Sequence, residues 1–205
     1  MLKLYHAPLT RSARILWLLE ELGLPYELEA VSFTPPSAAG FVQQAPFGKL
    51  PALEDGDVVM FESGAILEYL LERYGEGRLG PAPGHPDRAA FLQWVHFAEG
   101  TMMPPLGSIA AHTMFRPEEQ RIAAVVDEAR QRVAAVLELL ERELAGRTYL
   151  VGDAFSGADI MMGYSLQLAK LFGLLEERFA AVRGYLERLT ARPAFQKALA
   201  PPARG

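Results

Sequence analysis

Glu62 and Ser63 open an apolar-periodic segment, and a short hairpin separates them from Leu50 and Pro51. Together the two pairs offer the chemistry that recognises the amino-acid end of an extended, peptide-like ligand. Ile66, Leu67, Leu70, Leu71 and Tyr74 recur at helical spacing after Ser63, and Gly75 is placed to stop the helix, so Ser63 reads as an N-cap. A ligand carboxylate at that helix start meets free N–H groups and the positive end of the dipole, while Glu62 is placed to pair with an ammonium. Pro51 precedes an apolar strand, Ala52 to Glu54, where a ladder donor would be wanted. The pattern predicts a turn compatible with a cis bond, which leaves the main chain of Leu50 open to a ligand that pairs like another strand. Taken alone, Glu62 and Ser63 are better explained as a solvated charge and a plain cap.

A second chemical turn lies in Tyr5-His6-Ala7-Pro8-Leu9-Thr10-Arg11-Ser12-Ala13-Arg14, where small hydroxyl residues stand at a strand-to-helix junction. A hydroxyl and free N–H groups at a helix start stabilise a thiolate. Ordinary helix capping explains Thr10 and Ser12 about equally well. Elsewhere the chain has no nucleophile elbow, phosphate-binding loop, dinucleotide fingerprint or paired-histidine metal spacing. The histidines His6, His85, His96 and His112 are scattered and read as surface or packing residues, and no metal site is expected. Met102, Met103, Met114 and Phe115 suit an apolar cleft, but their helical spacing favours core.

The elements that must position these residues change character near residue 80. Leu2 to Tyr5 reads as strand, Arg11 to Leu22 as helix closed by Gly23, and Tyr26 to Val31 as strand. A short helical or irregular piece around Ser37 to Gln44 follows, then a hairpin turning at Asp55-Gly56 into Val58 to Phe61, then the Ser63 helix. Strand-helix-strand followed by strand-strand-helix predicts a mixed four-stranded sheet with helices, the plan of a thioredoxin-like α/β domain over 1–80. The breakers Gly80-Pro81-Ala82-Pro83-Gly84-His85-Pro86 form a linker, 81–86. Residues 87–205 read as an all-α bundle. Asp87 to His112 forms a helix bent at Pro104-Pro105, and Pro117-Glu118-Glu119 opens a long helix that runs to Gly146. Ser156 and Asp159 make a capping-box pair, with Phe155 and Ile160 as a hydrophobic staple around them.

Composition excludes several classes. The chain has 205 residues, half of them hydrophobic, and a net charge of −5, which suits a folded protein of one large or two small domains and argues against non-specific nucleic-acid binding. It has no cysteine, which rules out disulfides, thiolate-ligated metals and a protein thiol nucleophile. Met1-Leu2-Lys3-Leu4-Tyr5 lacks the apolar core of a signal peptide, and no apolar run is long enough to span a bilayer. The expected compartment is the cytoplasm, with no membrane partner.

In order and spacing the whole chain resembles a cytosolic glutathione transferase of the serine or cysteine type. The resemblance rests on the Pro8 to Arg14 turn followed by Ile15-Leu16-Trp17-Leu18-Leu19-Glu20-Glu21-Leu22-Gly23, on Gly48-Lys49-Leu50-Pro51, on Glu62-Ser63, on the helical second half and on the Ser156 to Asp159 cap. It implies a homodimer that holds glutathione in the first domain as co-substrate, with no other cofactor, and lodges a small hydrophobic electrophile or hydroperoxide against the second. Leu50, beside a cis Pro51, would bind the cysteinyl part through its backbone. Glu62 and Ser63 would hold the γ-glutamyl end, and Lys49 would reach the glycyl carboxylate. In members of this type the residue four before the arginine of the first helix contacts the sulfur; here it is Thr10, with Arg11 and Ser12 behind it. Threonine departs from the usual serine or cysteine, so Arg11 shares the thiolate-stabilising role. Tyr5, Met102, Leu106, His112, Phe115 and Phe172 would shape the second-substrate pocket, and Trp94, His96 and Glu99 are expected at the subunit interface. The missing cysteine argues against the family's thiol-exchange branch. The rival expectation is a non-catalytic regulator that binds glutathione or a protein partner on the same fold.

Overall fold

The computed structural model describes residues 1–31 and 48–200. The piece expected around Ser37 to Gln44 lies outside the described residues. By contacts the chain divides into two compact units, Met1–Gly80 with Thr190–Gly205, and Pro81–Leu189. No helix or strand occupies residues 81–86.

The first unit is built on a four-stranded sheet of order β2-β1-β3-β4, with β1 at Leu2–His6, β2 at Tyr26–Ala30, β3 at Ala52–Asp55 and β4 at Val58–Phe61. β1 runs parallel to β2 and antiparallel to β3, and β3 runs antiparallel to β4. Register decides where the chemistry goes. Ala52, the first residue of β3, faces Tyr5 near the end of β1 and Phe61 at the end of β4. The segment before β3 and the segments after β1 and β4 therefore meet at one edge of the sheet. Those segments contain Leu50-Pro51, Thr10-Ser12 and Glu62-Ser63.

Helix α1, Ser12–Leu22, crosses from β1 to β2 and packs against β1 and two helices of its own unit, α2 at Ser63–Tyr74 and α8 at Pro193–Leu199. Its run of Ile15, Leu16, Trp17, Leu18 and Leu19 is buried all round, as a helix apolar on every face must be. Gly23 ends it in the left-handed region at φ 67°, where a side chain would strain the backbone. The Gly23 N–H reaches the Glu20 carbonyl and the Leu24 N–H reaches that of Leu19, which satisfies carbonyls the helix end would orphan.

The expected all-helical domain, 87–205, differs at its end because α8 packs on α1. Phe195 stands edge-on to Trp17 at 4.8 Å, and Arg192 grips Glu21 with two bonds, Nε to Oε1 at 2.6 Å and Nη2 to Oε2 at 2.7 Å. Glu21 Oε1 also accepts from Trp17 Nε1 at 2.9 Å, so the carboxylate is held by its own helix as well as by Arg192. We expect Arg192→Ala to lower stability by about 1.5 to 3 kcal/mol, the range for hydrogen bonds to a charged group. Urea unfolding should show an earlier midpoint with an unchanged slope.

The second unit is helical, with α3 at Arg88–Phe97, α4 at Met103–Ala110, α5 at Ala123–Glu143, α6 at Gly157–Leu171 and α7 at Ala180–Thr190. The expected bent helix is two helices joined by a π-turn, Ala98–Met102. Pro104 and Pro105 have no N–H to return to the preceding turn, so the backbone widens before them and α4 begins with prolines in its first turn. The long helix starts later than Pro117. Glu118–Gln120 is a 3-10 turn, Arg121 and Ile122 are extended, and α5 begins at Ala123. Helix α6 is buried along most of its length, and its start at Ser156 and Asp159 is the capping box expected.

Candidate active site

After β1 the chain turns through Ala7-Pro8-Leu9-Thr10, closed by Thr10 N–H to the Ala7 carbonyl at 3.3 Å. Pro8 supplies the fixed φ of the second turn position, and Leu9 holds φ 59° in the third. A left-handed leucine is a strained choice, tolerated at this turn because Ala7 and Ser12 hold both of its ends. The turn projects Thr10 partly exposed and draws Ser12 inward to full burial. Thr10 Oγ1 lies 2.8 Å from the Ala7 carbonyl and 2.6 Å from Ser12 Oγ. Ser12 Oγ lies 2.8 Å from His6 Nδ1 and accepts from the Ala7 N–H at 3.3 Å. Burial pushes the His6 pKa down to about 4, so its ring is neutral at neutral pH.

Beside this turn stands Leu50, joined to Pro51 by a cis peptide bond. Leu50 is buried in one cluster with Tyr5, Ala7 and Ala52, so the residue that accepts from Thr10 is packed against the proline turn. Both ladders of β3 end at Ala52, which puts the Leu50 main chain beyond the sheet. Lys49 is exposed next to it.

The third segment differs from expectation in one respect. Glu62, not Ser63, holds the N-cap position of α2, with φ 73° and ψ 108°, and Ser63 is the first helical residue. Glu62 is exposed, while Ser63 is buried and accepts from Arg14 Nη1 at 3.0 Å. Arg14, in the first turn of α1 and wholly buried, ties the Thr10 turn to the start of α2. Three segments distant in sequence thus form one edge, with an exposed carboxylate, an exposed ammonium and a partly exposed hydroxyl along it.

Models of the glutathione S-transferase N-terminal and C-terminal domains match residues 1–72 and 103–193. The chain belongs to the glutathione S-transferase family. Glutathione S-transferase GstB of Escherichia coli strain K12 is 31% identical over 92% of each chain. Glutathione S-transferase 4 of Zea mays is 34% identical over 90% of this chain and 85% of its own. A glutathione transferase from Pseudomonas putida, solved with one glutathione disulfide bound per subunit, superposes with a TM-score of 0.88 at 29% identity, covering 98% of this chain and 92% of that one.

Within this glutathione S-transferase, the other residues expected at the site and interface differ in burial and bonding. Ser12 is fully buried, so it stands behind Thr10 and not beside it. Arg11 is half-buried at the N-cap position of α1. Tyr5 donates to Glu54 Oε1 at 2.7 Å, and burial with that bond raises its pKa, which holds it as a packed phenol. Met102 and Leu106 are fully buried, so their side chains are occupied by packing. His112 Nδ1 accepts from the Ile122 N–H at 3.0 Å, a bond that organises the start of α5. Phe115 is exposed and Phe172 half-buried. Trp94, expected at a subunit interface, is buried and packs edge-on to Phe97.

Two residues that hold this cluster together are not singled out by the sequence reading. His6 reads as one scattered histidine among four, yet it closes the hydroxyl cluster from inside. Arg14 is the more visible, since a cation three and four residues before Trp17 and Leu18, on a helix apolar all round, must be buried and paired. Among the described residues no group of three or more His, Asp or Glu stands together as a metal site. No helix among the described residues is long and apolar enough to cross a membrane.

Proposed function

We propose that this transferase holds glutathione along the sheet edge and uses its thiolate to attack a small hydrophobic electrophile or a hydroperoxide. The observation that carries the reading is the partly exposed Thr10 hydroxyl, held beside the cis Leu50-Pro51 turn by the Ala7 and Leu50 packing. Leu50 pairs with the cysteinyl backbone as an added strand would. Ser63 and the first N–H groups of α2 take the γ-glutamyl carboxylate, Glu62 takes its ammonium, and Lys49 takes the glycyl carboxylate. These placements set the sulfur against Thr10.

A hydroxyl donating to a charged acceptor contributes about 1.5 to 3 kcal/mol. One pKa unit is about 1.36 kcal/mol, so this lowers the thiol pKa by roughly one to two units and makes thiolate substantial near neutrality. The thiol proton leaves to water. The sulfur then forms its bond to the electrophilic carbon, and the displaced electron pair leaves with the leaving group or, in an addition, takes a proton from water. On a hydroperoxide the sulfur bonds to the outer oxygen, the O–O bond breaks and the alkoxide takes a proton from water. A second glutathione converts the resulting sulfenic acid to glutathione disulfide and water. Arg11 adds positive potential from the same helix start. A homodimer and a cytoplasmic location belong to this reading.

The protein should bind immobilised glutathione and elute with free glutathione. Passage straight through, with no thermal shift at millimolar ligand, would sink the binding claim. A steady-state screen of halonitroaromatics, isothiocyanates and cumene hydroperoxide should give at least one turnover. A blank screen with retained binding would point to a non-catalytic regulator.

A further inference from the structure

Counting hydrogens at the Thr10 turn gives its hydrogen bonds a direction. The Ala7 carbonyl can only accept, so the 2.8 Å contact to it is made by the one hydroxyl hydrogen of Thr10. With that hydrogen committed, the 2.6 Å contact between hydroxyls is supplied by the one hydrogen of Ser12, whose other acceptor, the Ala7 carbonyl, is farther at 3.4 Å and already takes the Thr10 hydrogen. With that also committed, the 2.8 Å contact between Ser12 Oγ and His6 Nδ1 is supplied by an Nδ1–H. The Ala7 N–H fills the remaining lone pair of Ser12 at 3.3 Å. The chain runs one way, from His6 to Ser12 to Thr10 to the Ala7 carbonyl. Its inner members are buried, and only Thr10 is partly exposed.

The opposite tautomer would reverse it. An unprotonated Nδ1 would take the Ser12 hydrogen, and Ser12 Oγ would then draw the Thr10 hydrogen inward at 2.6 Å, away from any ligand. We propose that His6 is a positioning residue whose Nδ1–H sets the direction of this chain, so that Thr10 keeps its hydroxyl hydrogen for a substrate thiolate. A thiolate is a stronger acceptor than a carbonyl, and Thr10 reaches it by rotating one hydrogen off the Ala7 oxygen. A chain of aligned hydroxyls also polarises its last member, which strengthens that donor. The neutral ring at neutral pH fits the assignment, because a neutral imidazole carries one N–H and the chain requires it on Nδ1. The proposal rests on the glutathione reading for the identity of the outer acceptor alone.

The test follows the ultraviolet absorbance of bound glutathione thiolate against pH in wild type, His6→Leu and His6→Asn, with glutathione affinity measured alongside. His6→Leu should raise the apparent pKa of the bound thiol by about one unit, a tenfold loss of thiolate on the acid side. Its affinity for the protonated thiol should stay at the wild-type value. His6→Asn, which carries an amide N–H near the place of Nδ1, should restore most of the shift. Ser12→Ala breaks the chain one link further out and carries the same expectation should His6→Leu fail to fold; adding His6→Leu to it should change the titration no further. A titration of His6→Leu or Ser12→Ala that superimposes on wild type overturns the relay while leaving the glutathione reading in place. Absence of any bound thiolate signal in wild type overturns both.

Discussion

Thr10→Val should lower kcat for conjugation by roughly ten- to a hundredfold, because a donor worth about 1.5 to 3 kcal/mol to a charged acceptor is lost and each 1.36 kcal/mol is a factor of ten. Valine keeps the β-branched shape, so the turn through Leu9 and the packing of Ala7 against Leu50 survive. The other hydroxyl of the turn cannot substitute. Ser12 is fully buried and already bonded to His6 and Thr10. In the proposed binding mode KM for glutathione should change little, since Leu50, Glu62 and Ser63 would hold the peptide by its backbone and its γ-glutamyl end, contacts that Thr10→Val leaves in place. Thr10→Ser should keep most of the rate. A valine variant with unchanged kcat would move the thiolate-stabilising role to Arg11 or a backbone amide, and steady-state kinetics at saturating glutathione decides between them.

Legibility in the sequence followed the range of the cause. Gly23 and the Asp55-Gly56 turn act through their own backbone, so the end of α1 and the hairpin could be read from adjacent residues. Leu50-Pro51 was legible for a similar reason, because a proline beside an apolar strand has few places to go. The expected cap at Ser63 is one residue late, since Glu62 caps α2 and Ser63 is its first helical residue. The residue with the unusual backbone is Glu62, and side-chain type alone does not announce a φ of 73° on a glutamate. The start of α5 was misplaced because Pro117-Glu118-Glu119 has every local mark of a helix start, while the Ile122 N–H is held by His112, ten residues earlier.

Longer-range causes left weaker traces. Arg14 meets Ser63 across 49 positions, and Arg192 meets Glu21 across 171. A bundle pattern in 87–205 cannot say that its last helix leaves the bundle for α1. His6 is closer to its partner, six residues from Ser12. Its role depends on where a strand ends and which way the turn folds back, and periodicity does not encode either. The mixed sheet is readable from the order of its elements; that three segments meet at one end of it comes from register, and which side chains face outward there comes only from burial.

Asp159→Ala should be the most destabilising of these substitutions, by about 3 to 5 kcal/mol, because it strands several buried donors at once. Oδ1 accepts from the Leu150 N–H at 3.0 Å and the Tyr185 hydroxyl at 2.7 Å. Oδ2 accepts from the Ser156 N–H at 2.8 Å and the Ser156 hydroxyl at 3.0 Å. One fully buried carboxylate thus fixes the start of α6, the loop at Leu150 and the middle of α7. For a chain of this size, 1 kcal/mol moves Tm by roughly 2 to 4 °C, so the melt should fall by about 6 to 20 °C. Tyr185→Phe removes one hydroxyl and leaves the carboxylate with its other three donors, so it should cost about 1 kcal/mol. The contrast discriminates between mechanisms. If the carboxylate merely fills space, Asp159→Asn would melt with wild type. If it works as a four-fold acceptor, asparagine turns one oxygen into an NH2 group facing N–H or O–H donors, and its melt should lie well below that of Tyr185→Phe. An asparagine variant as stable as wild type would refute the acceptor account.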